Sequence, residues 1–308
     1  MTMTRTTQTA LTADPPIVAL DGLTKRYGES IAVNELSFVM RPGTITGFVG
    51  PNGAGKTTTI RMLLGLIRAD AGERNVCDGD LSRVGALIDG PAFHPQLSAR
   101  RNLRLLATLG SIDSGRVDHV LDQVMLTERA DDAVRTYSLG MRQRLGIAAA
   151  LLSDPEVLFL DEPTNGLDPQ GILDMRALLR GQAAAGKAIL VSSHLLSEIE
   201  HICDHLVVIR NGTRLYFGPI AELERQQRAE LVVRPEEPGD LDRLTELLGD
   251  HGYRSTPENS GIRVIADPDH AGGINRLAFQ AGIVLARLHD EQESLEATFL
   301  RMMSGSAS

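Results

Sequence analysis

Gly50-Pro51-Asn52-Gly53-Ala54-Gly55-Lys56-Thr57-Thr58 decides how the rest of the chain reads. It carries the spacing of a phosphate-binding loop. An apolar strand is predicted before it, from Thr44 to Gly50, and an apolar-periodic helix after it, from about Thr57 to Leu66. Between a strand and a helix, glycines let the backbone curl until its N–H groups point at phosphate oxygens. Lys56 brings a point charge to the terminal phosphates, and the Thr57 hydroxyl is placed to ligate Mg²⁺.

A second stretch completes the chemistry. Val157-Leu158-Phe159-Leu160-Asp161-Glu162 is an apolar strand that ends in two acids. Buried parallel strands deliver their C-terminal residues to the edge where ligands bind. Asp161 can hold Mg²⁺ through water, and Glu162, one residue on, can polarise an attacking water as general base.

The chain has 308 residues, and 42% hydrophobic with 23% charged residues is the balance of an ordinary globular protein. Its formal charge of −9 argues against a dedicated nucleic-acid binder. Two cysteines are too few for a disulfide framework, which favours a reducing compartment. No apolar run approaches the ~20 residues needed to span a bilayer. Met1 to Thr12 is Thr-rich and has no apolar centre of a secretory signal. Lysine is scarce, at positions 25, 56 and 187 only.

Residues 1–15 read as a disordered lead. From residue 16, strands over Ile17–Leu20, Leu36–Met40, Val84–Ile88, Ala188–Ser192 and His205–Arg210 alternate with helices. Ser98 caps a helix to about Leu109, a mostly helical stretch runs on to Leu152, and further helices cover Pro169–Ala184 and Leu195–Cys203. The alternation implies a mostly parallel sheet covered on both faces. Residues 221–308 hold 9 Arg against 16 Asp and Glu, a balance of −7 that leaves −2 for residues 1–220. That tail repeats strand and helix: Leu231–Val233, Asp240–Leu248, Ile262–Ala266, Ala271–Ala281, Ile283–Leu288, Ser294–Met303. It reads as a small α/β appendage.

Further stretches give the chain a family resemblance. Tyr137-Ser138-Leu139-Gly140-Met141-Arg142-Gln143-Arg144 is similar to the signature of the ATP-binding subunits of ABC transporters, and it precedes the acidic strand as it does there. Pro163 to Pro169 resembles the family's D-loop, Ser192-Ser193-His194 its switch histidine, and Tyr27 the aromatic that stacks on adenine. The resemblance covers about residues 16–220. It implies a P-loop NTPase of ABC type: a mixed parallel sheet core, an antiparallel β edge and a helical subdomain over about residues 93–152, followed by the appendage at 221–308. It also implies ATP and Mg²⁺ as cofactors, with Tyr27, the loop residues Gly50 to Thr58, Ser138, Gly140 and Asp168 around the nucleotide. Glu162 and His194 would act on the attacking water, and Thr57, Asp89 and Asp161 would serve the metal. Ser138, as an N-cap, would offer free N–H groups to the γ-phosphate held by a partner. The expected assembly is a head-to-tail homodimer, or a heterodimer of ATP-binding subunits, on a separate transmembrane permease at the cytoplasmic face of the membrane.

Two departures stand out. Leu139 and Met141 replace the usual Gly and Gln of the signature, while Ser138 and Gly140 are kept. Asp89 stands where the family has Gln, in the frame Gly85-Ala86-Leu87-Ile88-Asp89. The segment Val84 to Asn102, with Pro91-Ala92-Phe93-His94-Pro95, resembles the acidic form of this loop in antibiotic-export and self-immunity transporters. Asp89 reads either as a coupling residue towards the membrane partner or as a loop aspartate in solvent. Arg100, Arg101 and Arg104 read as a solvated face or as a contact to a partner's helix. Glu293 to Arg301 resembles the closing helix of drug-exporter subunits. The resulting expectation is an ATPase subunit of an antibiotic or drug exporter. The alternatives are a soluble ABC ATPase acting on ribosomes or DNA, and an unrelated phosphate-loop kinase.

Overall fold

Strands buried on both faces need no polar alternation, and the central strands here have none. In the computed structural model, residues 15–88, 93–225, 229–258, 261–292 and 295–304 are described. The expected lead therefore lies outside the described residues apart from Pro15, and so does Asp89. The chain divides between Ile220 and Ala221 into two compact units.

The first unit opens with a long hairpin, β1 (Val18–Tyr27) and β2 (Ser30–Met40). It continues through β3 (Ile45–Val49), α1 (Lys56–Leu63), β4 (Ala71–Val76) and β5 (Val84–Leu87). Three helices follow, α2 (Ala99–Leu109), α3 (Arg116–Gln123) and α4 (Leu139–Leu151). Then come β6 (Val157–Asp161), α5 (Pro169–Ala184), β7 (Ala188–Ser193), a short α6 (Leu196–Ile199), β8 (His205–Arg210) and β9 (Thr213–Pro219). α7 (Ile220–Arg225) follows β9.

Six strands form one sheet in the order β5-β6-β7-β3-β8-β9, parallel except for the β8–β9 hairpin. β1, β2 and β4 form a separate antiparallel sheet. Val18, Leu20, Leu36, Phe38 and Met40 of that sheet pack with Ile60, Met62 and Leu63 of α1 on one face of the larger sheet, against Phe48, Phe159, Leu190 and Val207. The Phe38 and Phe48 rings lie 5.7 Å apart at 45°, a tilted contact that locks the two sheets together. α5 contacts β3 and β7, and α4 contacts β5 and β6. α2, α3 and α4 also contact one another, burying Leu103, Val117, Val120, Leu121 and Leu145. Ser98 does cap α2, its Oγ accepting from Arg101 N at 3.3 Å. Arg100 pairs with Asp131 at 3.0 Å and also with Asp118, while Arg101 and Arg104 are exposed.

The second unit runs β10 (Ala229–Pro235), α8 (Leu241–Asp250), β11 (Arg254–Glu258), β12 (Gly261–Ile265), α9 (Ala271–Gln280), β13 (Leu285–Gln292) and α10 (Leu295–Ser304). The order β11-β12-β10-β13, all antiparallel, is a split β-α-β-β-α-β arrangement. Leu231, Val233, Ile262 and Val264 meet Leu244, Leu248, Ile274 and Ala278 of the helices in its core.

The sequence placed the central strands well and differed at the margins. β1 runs on to Tyr27 through a polar stretch, because register shifts after Leu20 and Leu23 let it stay paired with β2. The helix expected to Leu66 ends at Leu63, where Gly65 turns with φ +70°. The helix expected over Leu195–Cys203 is described only as Leu196–Ile199. β4, β9 and β11 were not anticipated.

Phe159, midway along β6, is fully buried. Phe159→Ala is expected to destabilise the protein by about 3–5 kcal/mol, read as a lower urea midpoint.

Candidate nucleotide site

The turn between β3 and α1 can exist only with glycine at its two ends. A Cβ on Gly50 would lie 2.4 Å from the Ile209 carbonyl oxygen of β8. Gly55 has φ +106°, and its Cβ would lie 2.4 Å from the Ala32 carbonyl oxygen. Those close approaches hold the loop against β2 and β8, with its free N–H groups at the start of α1. Residues 51–58, Ala32 and Glu162 line a cleft of about 220 Å³ there.

Lys56 is buried under the loop. Its Nζ donates to Gly50 O at 2.6 Å and Pro51 O at 3.4 Å and stands 3.4 Å from Glu162 Oε1. The other Glu162 oxygen, Oε2, lies 2.9 Å from His194 Nδ1. One carboxylate is thus bracketed by an ammonium and an imidazole at the rim of the cleft.

The neighbouring Asp161 joins two elements. Thr57 Oγ1 donates to its Oδ2 at 2.6 Å, and Ser192 Oγ donates to its Oδ1. Ser192 Oγ also accepts from Glu162 N at 3.0 Å. Glu162 itself has φ +49°, left-handed backbone that costs a non-glycine residue on the order of 1 kcal/mol. Packing and hydrogen bonds overcome that cost here, and the turn aims the Glu162 side chain back at Lys56 and His194.

The sequence motifs therefore converge for Lys56, Thr57, Asp161, Glu162 and His194. Others stand apart from the cleft lining. Tyr27, at the end of β1, is 54% exposed, with Lys25 Nζ 5.4 Å from its ring centroid. Ser138 caps α4 through Met141 N at 3.2 Å. Gly140 lies against Leu167, whose Cδ2 would be 3.1 Å from an added Cβ. Asp168 caps α5, its Oδ1 accepting from Gly171 N at 2.8 Å. Asp89 is outside the described residues.

Two participants had no role assigned from sequence, Ser192 and Gln143. Gln143 is buried, and its Nε2 donates to the Glu162 carbonyl oxygen at 3.3 Å. The available signal for Ser192 was a pair of hydroxyls closing an otherwise apolar strand, Ala188 to Ser193. Gln143 lies in the signature-like stretch Tyr137 to Arg144, but nothing there pointed its side chain at the Glu162 carbonyl.

The Thr57 hydroxyl beside the Asp161 carboxylate is an oxygen-only donor set, which suits Mg²⁺, an ion that keeps waters and phosphate oxygens for its remaining positions. The glycine turn beside it suits a polyphosphate.

Comparison with known proteins agrees. The ABC transporter family profile matches residues 33–165. The chain is 39% identical over 300 residues to the bacitracin transport ATP-binding protein of Bacillus licheniformis, covering 94% of this chain and 98% of that one. This chain belongs to the ABC transporter ATP-binding proteins. It is also 33% identical to a daunorubicin resistance ATP-binding protein of Streptomyces coeruleorubidus, over 92% of this chain and 95% of that one. A solved ATP-binding subunit of an ABC transporter superposes with a TM-score of 0.62 at 27% identity, over 68% of this chain and 92% of its own. The nucleotide of an ABC subunit is ATP, and its hydrolysis is coupled to transport through a separate membrane permease. Among the described residues no helix is long and apolar enough to cross a membrane.

Gly55→Ala is expected to lower ATP affinity by about tenfold or more, because a strain of ~1.4 kcal/mol in the bound loop already costs that factor. Calorimetric titration with ATP measures it.

Proposed function

We propose that the chain powers export of an antibiotic or similar hydrophobic compound, hydrolysing ATP at the cytoplasmic face of the membrane as one of a pair of ATP-binding subunits. The observation that carries the hydrolytic part is the Glu162 carboxylate, held between Lys56 and His194 at the mouth of the phosphate loop. Near full-length similarity to bacitracin and daunorubicin ATP-binding proteins supports the class of cargo.

In this reading the loop N–H groups and Lys56 hold the β- and γ-phosphates, and Tyr27 stacks on adenine. Thr57 and Asp161 hold Mg²⁺, which when bound neutralises charge developing on the phosphate oxygens. Glu162 accepts the proton of the attacking water, and His194 keeps that water and the γ-phosphate aligned. Ser138 and the first N–H groups of α4 face the γ-phosphate held by the other subunit of the pair, with Gly140 letting the backbone approach and Asp168 lying along the shared interface. Asp89 lies in the link to the permease. The acidic charge of residues 221–308 fits a protein partner rather than nucleic acid.

Glu162→Gln is expected to lower kcat for ATP hydrolysis by about 100-fold or more, with ATP affinity held within a few-fold. Full activity in that variant would remove Glu162 from the role of base. Asp89→Ala tests the link to the permease. In cells that carry both subunits, transport is expected to fall, with ATP hydrolysis measured alongside it; unchanged values for both would refute it.

A further inference from the structure

The first turns of α4 touch the segment that follows β6 at three places. Leu139 fills the space over Gly166, where an added Cβ would fall 2.1 Å from Leu139 Cδ2. Gly140 lies against Leu167, as noted above. One turn along, on the same side of the helix as Leu139, Gln143 Nε2 reaches the Glu162 carbonyl oxygen at 3.3 Å. The segment is stiff in itself, since Asn165 N donates to Glu162 O at 3.2 Å and Leu167 N to Thr164 O at 3.1 Å.

The peptide groups on either side of Glu162 are thus held from opposite directions. Ser192 of β7 takes its N–H, and Gln143 of α4 gives to its carbonyl. The first anchor belongs to the central sheet. The second belongs to the helix whose N-terminus is capped by Ser138. A rotation of the peptides that flank Glu162 swings its carboxylate away from Lys56 and His194.

We propose that Gln143 is a positioning residue that ties α4 to the Glu162 backbone, so that an anion seated at the α4 N-terminus sets the general base of the same chain. This rests on the reading above, in which Ser138 faces the nucleotide of the second subunit. The consequence is coupling between the two ATP sites. From Ser138 to Gln143 the helix rises only about 7.5 Å, so a small tilt of its first turn reaches the Glu162 carbonyl undamped. Gln143 is 6% exposed and does not itself line the cleft; it meets the main chain of Glu162, which does, so it acts through Glu162 and not on ATP directly.

Gln143→Met keeps the length and burial of the side chain and removes the donor. The purified full-length chain is assayed for ATP hydrolysis across ATP concentrations, and its ATP-dependent dimerisation is followed by sedimentation. The expected result is a fall in kcat of about tenfold, a KM for ATP within a factor of about two, and a Hill coefficient that drops from the wild-type value towards 1. A kcat and Hill coefficient equal to wild type overturn the proposal. If Gln143→Met does not fold, Leu139→Ala, at a site 50% exposed, is read by the same criteria. A wild-type chain that hydrolyses ATP without cooperativity and never dimerises overturns the two-subunit reading; a wild-type dimer with an unaltered variant overturns the coupling alone.

Discussion

Everything at the site hangs on the Asp161 carboxylate. One of its oxygens takes the Thr57 hydroxyl at 2.6 Å and the other takes the Ser192 hydroxyl, so a single side chain joins the first turn of α1 to the end of β7 across the end of β6. The three elements come from distant parts of the sequence, and the parallel register Leu160↔Val191 and Asp161↔Ser192 brings two of them level. The hydroxyl of Ser192, fully buried, is then free to take the Glu162 amide. A left-handed glutamate becomes tolerable because its backbone is hydrogen-bonded on both sides.

The phosphate loop depends on the same packing from below. Gly50 is pressed against β8 and Gly55 against β2, so the loop's shape is fixed by strands of both sheets. The Phe38–Phe48 contact and the shared core with α1 hold those sheets in register. Binding geometry in this protein is therefore a property of the sheet packing, and a core substitution far from the cleft acts on it.

How much of this could be read beforehand follows from where each element gets its partners. β3, β6, β7 and β8 are apolar runs whose burial is written in composition, and α5 carries both its N-cap Asp168 and Pro169 at its first position, so its ends matched. β4, β9 and β11 are edge strands, each paired on one side only. β4 is almost wholly exposed, and β11 contains Pro257, so neither shows alternation or an apolar run. Their strand conformation comes from the neighbour's open hydrogen bonds. The site divides the same way. Lys56, Thr57, Asp161, Glu162 and His194 lie in contiguous motifs. Ser192 and Gln143 also lie in motif stretches, but they act on main-chain groups of Glu162, and no spacing in the sequence marks a side chain that will meet a backbone 19 or 30 residues away.

The three lysines share one pattern of partners. Each of the three ammonium groups meets one carboxylate and at least one main-chain carbonyl. Lys25 donates to Arg68 O and Asp70, Lys56 to Gly50 O beside Glu162, and Lys187 to Pro155 O and Asp154. A compact ammonium directs its donors to points in three directions, which suits a carbonyl and a carboxylate that are not coplanar. Arginine can in addition meet one carboxylate flat, as in the twin bonds from Arg83 to Glu156 at 2.7 and 2.5 Å. Such pairs move their partners predictably: the bidentate Arg83 guanidinium holds Glu156 below the usual carboxylate range, and the Lys187 ammonium does the same for Asp154. At Asp70 the Arg26 backbone N–H is the larger cause and Lys25 the smaller. Lys25 and Lys187 are tied down by partners that stay in place. Lys56 alone of the three lines the cleft at the start of α1, where, on the proposed function, phosphate oxygens would compete for the donors now held by Gly50 and Glu162. A point charge with rotatable donors can exchange those partners without the loop moving, and a planar fork cannot.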